Sequence, residues 1–133
     1  MEPDWLNDAA KGFTTAASAW LHTAPVPAEL TAEFQTDSPD STWQRYRKLV
    51  GLRKQHPALW QAPFELLQHG ATHIVIGRGD LVVAANLGTS PVALPALRVA
   101  HVLFESTSGA LTVVDGAPQL AAESTVVTRR PAQ

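Results

Sequence analysis

Two prolines, Pro39 and Pro57, frame a proline-free stretch that reads as a helix. Proline is tolerated in the first helical turn, where its missing N–H has no intrahelical role, and it pushes the residue before it out of helical geometry. Ser38-Pro39 therefore supplies an N-cap with proline at the first helical position, and Ser41 to Gln44 offers a second, capping-box start. Either way the helix begins within three residues, and it stops at His56. Trp43, Tyr46, Leu49, Val50 and Leu52 cover a broad apolar face, with Arg45, Arg47 and Lys48 on the other side. Arg53, Lys54 and His56 fall in the last turn, where cations complement the helix dipole. The expectation is one amphipathic helix over Ser38–His56.

The two flanks differ in kind. In residues 1–37, Pro3, Gly12, Pro25 and Pro27 break any sustained period. One brief helical turn is expected at Ala28–Gln35, with Pro27 at its first position and Leu30 and Phe34 on one face. Trp5, Phe13 and Trp20 read as loop anchors, because an aromatic ring carries a large burial payload. After Pro57 the periodicity changes to short apolar runs parted by turn residues. Phe64–Leu67, Thr72–Gly77, Leu81–Asn86, Val92–Leu94, Val99–Glu105, Leu111–Val114 and Ser124–Arg129 are candidate strands. Arg78-Gly79-Asp80 is a tight hairpin turn with glycine placed for positive φ. The fold class is α+β: a loop-rich leader and one long helix (1–60), then a small antiparallel sheet or sandwich (61–133).

Composition narrows the function classes. A chain of 133 residues with 45% hydrophobic and 17% charged residues is a globular domain. The absence of cysteine removes disulfides and sulfur-based zinc sites. The acidic start MEPDWLNDAA has no signal-peptide pattern, and no apolar run approaches the ~20 residues of a membrane helix. A cytoplasmic protein is the expectation, with no membrane partner. Net charge is −2, yet residues 1–40 carry seven acids against one base, and residues 41–56 carry five bases and no acid. The acidic flank is a ready partner for the basic helix and the sheet segment has no basic stripe, so nucleic acid is not the expected ligand.

Glycoside hydrolysis needs two carboxyl groups flanking the scissile bond, about 5 Å apart for retention or roughly 6.5–9.5 Å for inversion. Glu29/Glu33 and Asp37/Asp40 are the pairs available, and both read better as solvent-facing charge or helix N-terminal partners. His69 and His73 flank a Gly-Ala-Thr turn without a third ligand, so no metal site is expected. Arg78-Gly79-Asp80 spells an adhesion tripeptide but reads as a turn. No phosphate-binding glycine loop or activated-nucleophile motif is present, and no cofactor is expected.

Three stretches resemble a known family. Asp37-Ser38-Pro39-Asp40-Ser41, followed by Tyr46-Arg47-Lys48-Leu49-Val50-Gly51-Leu52-Arg53-Lys54-Gln55-His56-Pro57-Ala58-Leu59, is similar to the DPDS…YRKLIxLRKxHPAL signature of α-glucosidases and oligo-1,6-glucosidases, in the α-amylase superfamily (glycoside hydrolase family 13). Upstream, Trp5 to Thr15 and then Trp20-Leu21 resemble the same enzymes. The chain departs from them at His22, where they have proline, and at Met1-Glu2-Pro3-Asp4, where they read Arg-Thr-Pro-Met-Gln. THIVIGRGDLVVAANLG, residues 72–88, looks like their C-terminal domain. The resemblance implies the last helix of a catalytic (β/α)8 barrel followed by a β-sandwich domain. The family's catalytic carboxylates lie on upstream barrel strands that nothing here matches, so no catalytic, substrate-binding, cofactor or metal residue is carried over. The implied role is a C-terminal structural domain that braces a barrel partner, lacks the barrel itself and has no hydrolytic activity alone. Two other classes stand beside it. One is a carbohydrate-binding module using Trp5, Trp20, Trp43 and Trp60 for weak α-glucan binding. The other is a protein-interaction module using the apolar helix face.

Overall fold

The computed structural model describes Trp20 and residues 26–131. The chain divides into two compact units, residues 1–50 and 51–133.

In the first unit a 3-10 turn at Ala28–Leu30 leads into helix α1, Ala32–Asp37. The single turn expected at Ala28–Gln35 is thus two pieces, with Pro27 as the N-cap of the first rather than its first helical residue. Thr31 makes the break. Its backbone is extended, its hydroxyl donates to the Ala28 carbonyl at 2.7 Å, and the same oxygen accepts from Phe34 N–H at 3.4 Å. One side chain closes the first turn and opens the second.

Helix α2 spans Thr42–Gln55, so the expected start at Ser38 is corrected to the second of the two candidates. Ser38 caps the C-terminus of α1 with φ −95° and ψ 109°, the extended geometry that a following proline imposes. Ser41 then opens α2, its hydroxyl accepting from Gln44 N–H at 3.2 Å. The capping box is incomplete: Ser41 N–H donates to the Ser38 carbonyl at 3.1 Å rather than to the Gln44 side chain, whose amide donates to the Thr36 carbonyl. Gln35 fixes the same junction by accepting from Trp43 N–H at 3.2 Å. The apolar face proposed for α2 exists in spacing but not in burial: none of its residues is buried, and Tyr46, Leu49 and Val50 are exposed.

The second unit is a two-sheet antiparallel sandwich behind a helical corner, α3, Ala58–Gln61. The strands are β1 (Phe64–His69), β2 (His73–Arg78), β3 (Leu81–Asn86), β4 (Val92–Ala93), β5 (His101–Glu105), β6 (Leu111–Val114), β7 (Ala117–Leu120) and β8 (Ser124–Arg129). The larger sheet runs β1-β2-β3-β8-β5 and the smaller β4-β7-β6. The β2–β3 turn is Gly79-Asp80 with Gly79 at φ 62°, the left-handed region a two-residue hairpin demands. Register places Val75, Ala84 and Val126 in one row facing the smaller sheet. They form the core with Val82, Leu94, Leu97, Ala110 and Leu120. The alternate residues, Ile74, Ile76 and Arg78 on β2 with their partners, form the outer face.

Candidate functional site

The carboxylate pairs are not poised for glycoside chemistry. Glu33 and Asp37 lie one helical turn apart on α1, both exposed, along an open cleft of about 550 Å³ with Ala28, Thr31, Phe34, Ser38 and Pro39. Glu29 sits on the 3-10 turn and Asp40 in the link to α2, also exposed. Side-by-side acids on one helix face do not bracket a bond from opposite sides. Among the described residues no group of three His, Cys, Asp or Glu side chains could hold a metal ion. His73 instead meets the side chain of Gln68 at 3.1 Å, and the Gln68 carbonyl oxygen accepts from Ala96 N–H at 3.2 Å. Gln68 thereby ties edge strand β1 to the segment that follows β4.

Each described tryptophan has its own local setting. Trp5 and Phe13 lie outside the described residues. Trp20, expected as a loop anchor, is 94% exposed and buries almost none of the area that would hold a loop. Trp43 lies under the Arg47 guanidinium, 5.3 Å from its ring centroid, a cation–π contact along α2. Trp60 is tied by its indole N–H to the Arg53 carbonyl at 3.3 Å, bridging α3 to the end of α2.

The residues that do converge are those of the corner and the sheet behind it. Arg78, Leu81 and Arg129 stand side by side across β2, β3 and β8 on the outer face. Arg78 Nε donates to the Leu59 carbonyl at 3.2 Å, and Arg129 Nη2 lies 3.4 Å from His56 Nδ1. Arg129 Nε is also 3.1 Å from Asp80 Oδ2. Two arginines therefore straddle a fully buried Leu81 and hold the His56–Leu59 corner from either side. Gly79 adjoins that corner, where an added carbon would make ordinary van der Waals contact with Ala62 and Ala58 at 3.4–3.5 Å, so its positive φ and not lack of space calls for glycine. The Arg-Gly-Asp run is thus spent on structure. Arg78 and Asp80 are clamp members, and the glycine is the turn. Sequence reading identified the corner as a helix stop but not its clamp, since the arginines are far from it along the chain.

This corner is the end of the sequence signature noted above, and comparison with known proteins agrees with it. A family model described as "Domain of unknown function (DUF3459)" matches residues 66–127. The oligo-1,6-glucosidase of Parageobacillus thermoglucosidasius is 25% identical over 108 residues, covering 77% of this chain and 18% of that protein. The salivary alpha-glucosidase of Anopheles gambiae is 32% identical over 96 residues, covering 68% and 16%. The chain is similar to the C-terminal domain of glycoside hydrolase family 13 enzymes. Solved family 13 structures share the fold. Isomaltulose synthase from Klebsiella sp. LX3 superposes with a TM-score of 0.77 at 22% identity, over 95% of this chain and 24% of that one. Trehalulose synthase from Pseudomonas mesoacidophila MX-45 gives 0.78 at 24% identity, over 95% and 24%. The chain spans under a fifth of the curated relatives and about a quarter of these structures. In those neighbours the matching region is the C-terminal domain joined to a catalytic barrel.

Proposed function

We propose that this chain is a bracing domain: it supports the catalytic barrel of an α-glucosidase-like hydrolase and contributes no catalytic group of its own. The observation that supports this reading is the clamp. Arg78, Arg129 and the Gly79 turn are arranged to fix the polypeptide at His56–Leu59, which in sequence follows directly on the helix matching the end of a family barrel. Locking an exit helix onto a sandwich is a mechanical task, and it needs buried contacts and directed hydrogen bonds rather than titratable groups in a cleft. The carboxylates along the α1 cleft are exposed and lie on one side of a single helix, rather than on facing walls of a pocket. The test is turnover by the purified 133-residue chain on maltose, isomaltose and a chromogenic α-glucoside. No hydrolysis above buffer is expected. Activity that survives chromatography and scales with protein concentration overturns the reading.

A further inference from the structure

Among the described residues the two sheets end in the edge strands β1, β5, β4 and β6, and the first three carry devices that deter a further strand. β1 is bulged between Leu66 and Gln68, and β5 between Val102 and Phe104. β4 is only Val92–Ala93, set between Pro91 and Pro95. A bulge twists an edge away, and a very short strand offers too few backbone groups for a ladder. β6 has none of these. Its run Leu111-Thr112-Val113-Val114 is uncharged, pairs with β7 without a shift in register, and leaves Val113 71% exposed.

Pro118 reveals where the backbone groups of β6 point. Val113 stands opposite Pro118, whose carbonyl accepts from Leu94 N–H at 2.8 Å, just past β4 on the far side of β7. In an antiparallel ladder, opposite residues alternate between exchanging hydrogen bonds and pointing theirs away from each other. Val113 therefore directs its N–H and C=O outward from the sheet edge, and so does Leu111, two residues before it. Glu105 occupies that edge. Its Oε1 accepts from Leu111 N–H at 2.9 Å, and its Oε2 accepts from Gly109 N–H at 3.1 Å. The guard on β6 is thus a carboxylate supplied by β5.

We propose that Glu105 blocks strand addition at β6, and that its removal lets β6 pair antiparallel with β6 of a second copy of this chain. The strand is self-complementary about a two-fold axis at Thr112. Leu111 then faces Val113 of the second copy, and each such pair exchanges both of its outward hydrogen bonds. Thr112 faces its own counterpart, and no charged side chain within the paired strands stands opposite another. With Glu105 in place, Leu111 N–H is already taken, and a carboxylate confronts the incoming Val113 carbonyl. A strand of 4 residues on each side falls well short of the about 1,200 Å² that a stable interface buries. The pairing is therefore weak, and losing half of its hydrogen bonds keeps the copies apart.

The experiment is sedimentation velocity on the full chain across a hundredfold range of concentration, comparing wild type, Glu105→Ala and Glu105→Ala/Val113→Lys. Glu105→Ala is expected to self-associate at least tenfold more tightly than wild type. The added lysine, a charge on the pairing edge, is expected to restore wild-type behaviour. Hydrogen exchange locates the contact, because the outward Val113 amide of Glu105→Ala should exchange more slowly as concentration rises. Circular dichroism melts establish first that each variant folds. Should Glu105→Ala not fold, Glu105→Gln takes its place, since glutamine keeps one acceptor oxygen and loses the other, and association should tighten in the same direction. Association no tighter than wild type in the variant that folds overturns the proposal. So does tighter association that Val113→Lys leaves intact, because the contact then lies on another surface.

Discussion

The side-chain amide of Asn86 donates to the carbonyl oxygen of Ala121 at 2.9 Å and so joins the two sheets of the sandwich through a single buried group. The same nitrogen reaches the Ser90 carbonyl at 2.9 Å and the Leu120 carbonyl at 3.3 Å, while its carbonyl oxygen accepts from Gly88 N–H at 3.0 Å. Asn86 is 1% exposed, so water cannot substitute for the lost partners. Asn86→Ala strands several buried carbonyls and should cost roughly 2–3 kcal/mol in urea unfolding of the chain. Asn86→Asp should cost more, because it presents a carboxylate to three carbonyl oxygens. An alanine variant as stable as wild type would show that the sheets are held together without this residue.

Gly77 and Arg130 define a second prediction. Gly77 is on the core-facing side of β2, opposite Glu65 on β1. A β-carbon there would collide with the Arg130 guanidinium and come within 2.9 Å of Glu65 Oε2. The missing side chain is what lets Arg130 cross β2 and meet Glu65 at 2.8 Å. Gly77→Ala should displace Arg130 and expel the ion pair. Glu65 is half exposed, so the pair itself contributes only about 0.2–1 kcal/mol and steric displacement supplies the rest. Glu65→Ala should therefore cost less than Gly77→Ala in the same unfolding assay. The reverse order would mean that electrostatics, not space, dominates at this site.

The clamp yields a local rather than global effect. Arg78→Ala removes the donor to the Leu59 carbonyl and should loosen the corner by about 1 kcal/mol. Native-state hydrogen exchange should detect this first in the amides of Trp60 and Gln61, which donate to the Pro57 carbonyl in the same turn. Exchange at core amides of β3 and β8 should change little. Equal acceleration in both places would show that the corner and the sheet open as one unit.

How much of this was readable beforehand follows from the range of the interactions involved. The helix stop at His56, the glycine turn at Gly79 and seven of the eight strands are local matters, written in prolines, glycines and alternation. The missed strand is β7, Ala117–Leu120, with a proline at its second position and little β-branched content. It forms because Asp115 and Gly116 both take positive φ and turn the chain back onto β6, pairing Leu111 with Leu120. The clamp and the Asn86 bridge were not legible at all. Each depends on partners brought together by strand order: the β2–β3 hairpin sets Arg78 beside Leu81, but Arg129 joins them only when β8 pairs with β3. The α2 face shows the opposite limit. Its spacing was read correctly, but spacing says which residues share a side and not whether anything covers them.

Gly51 provides the cleanest test of helix energetics in the chain. It lies inside α2, between Val50 and Leu52, where glycine loses the most backbone entropy on folding. A β-carbon added there meets no other atom within 4 Å. Neither packing nor strain opposes the change, so intrinsic propensity alone decides its sign. Gly51→Ala should stabilise the helix by about 0.5–1 kcal/mol and raise the melting temperature by roughly 2–5 °C. Because Gly51 also begins the second unit, the same variant reports on whether the two units melt together. A single transition displaced upward means that α2 couples them, since its gain is then shared by both. Two transitions, with only one displaced, would place the gain in one unit and make Gly51 the point at which cooperativity ends.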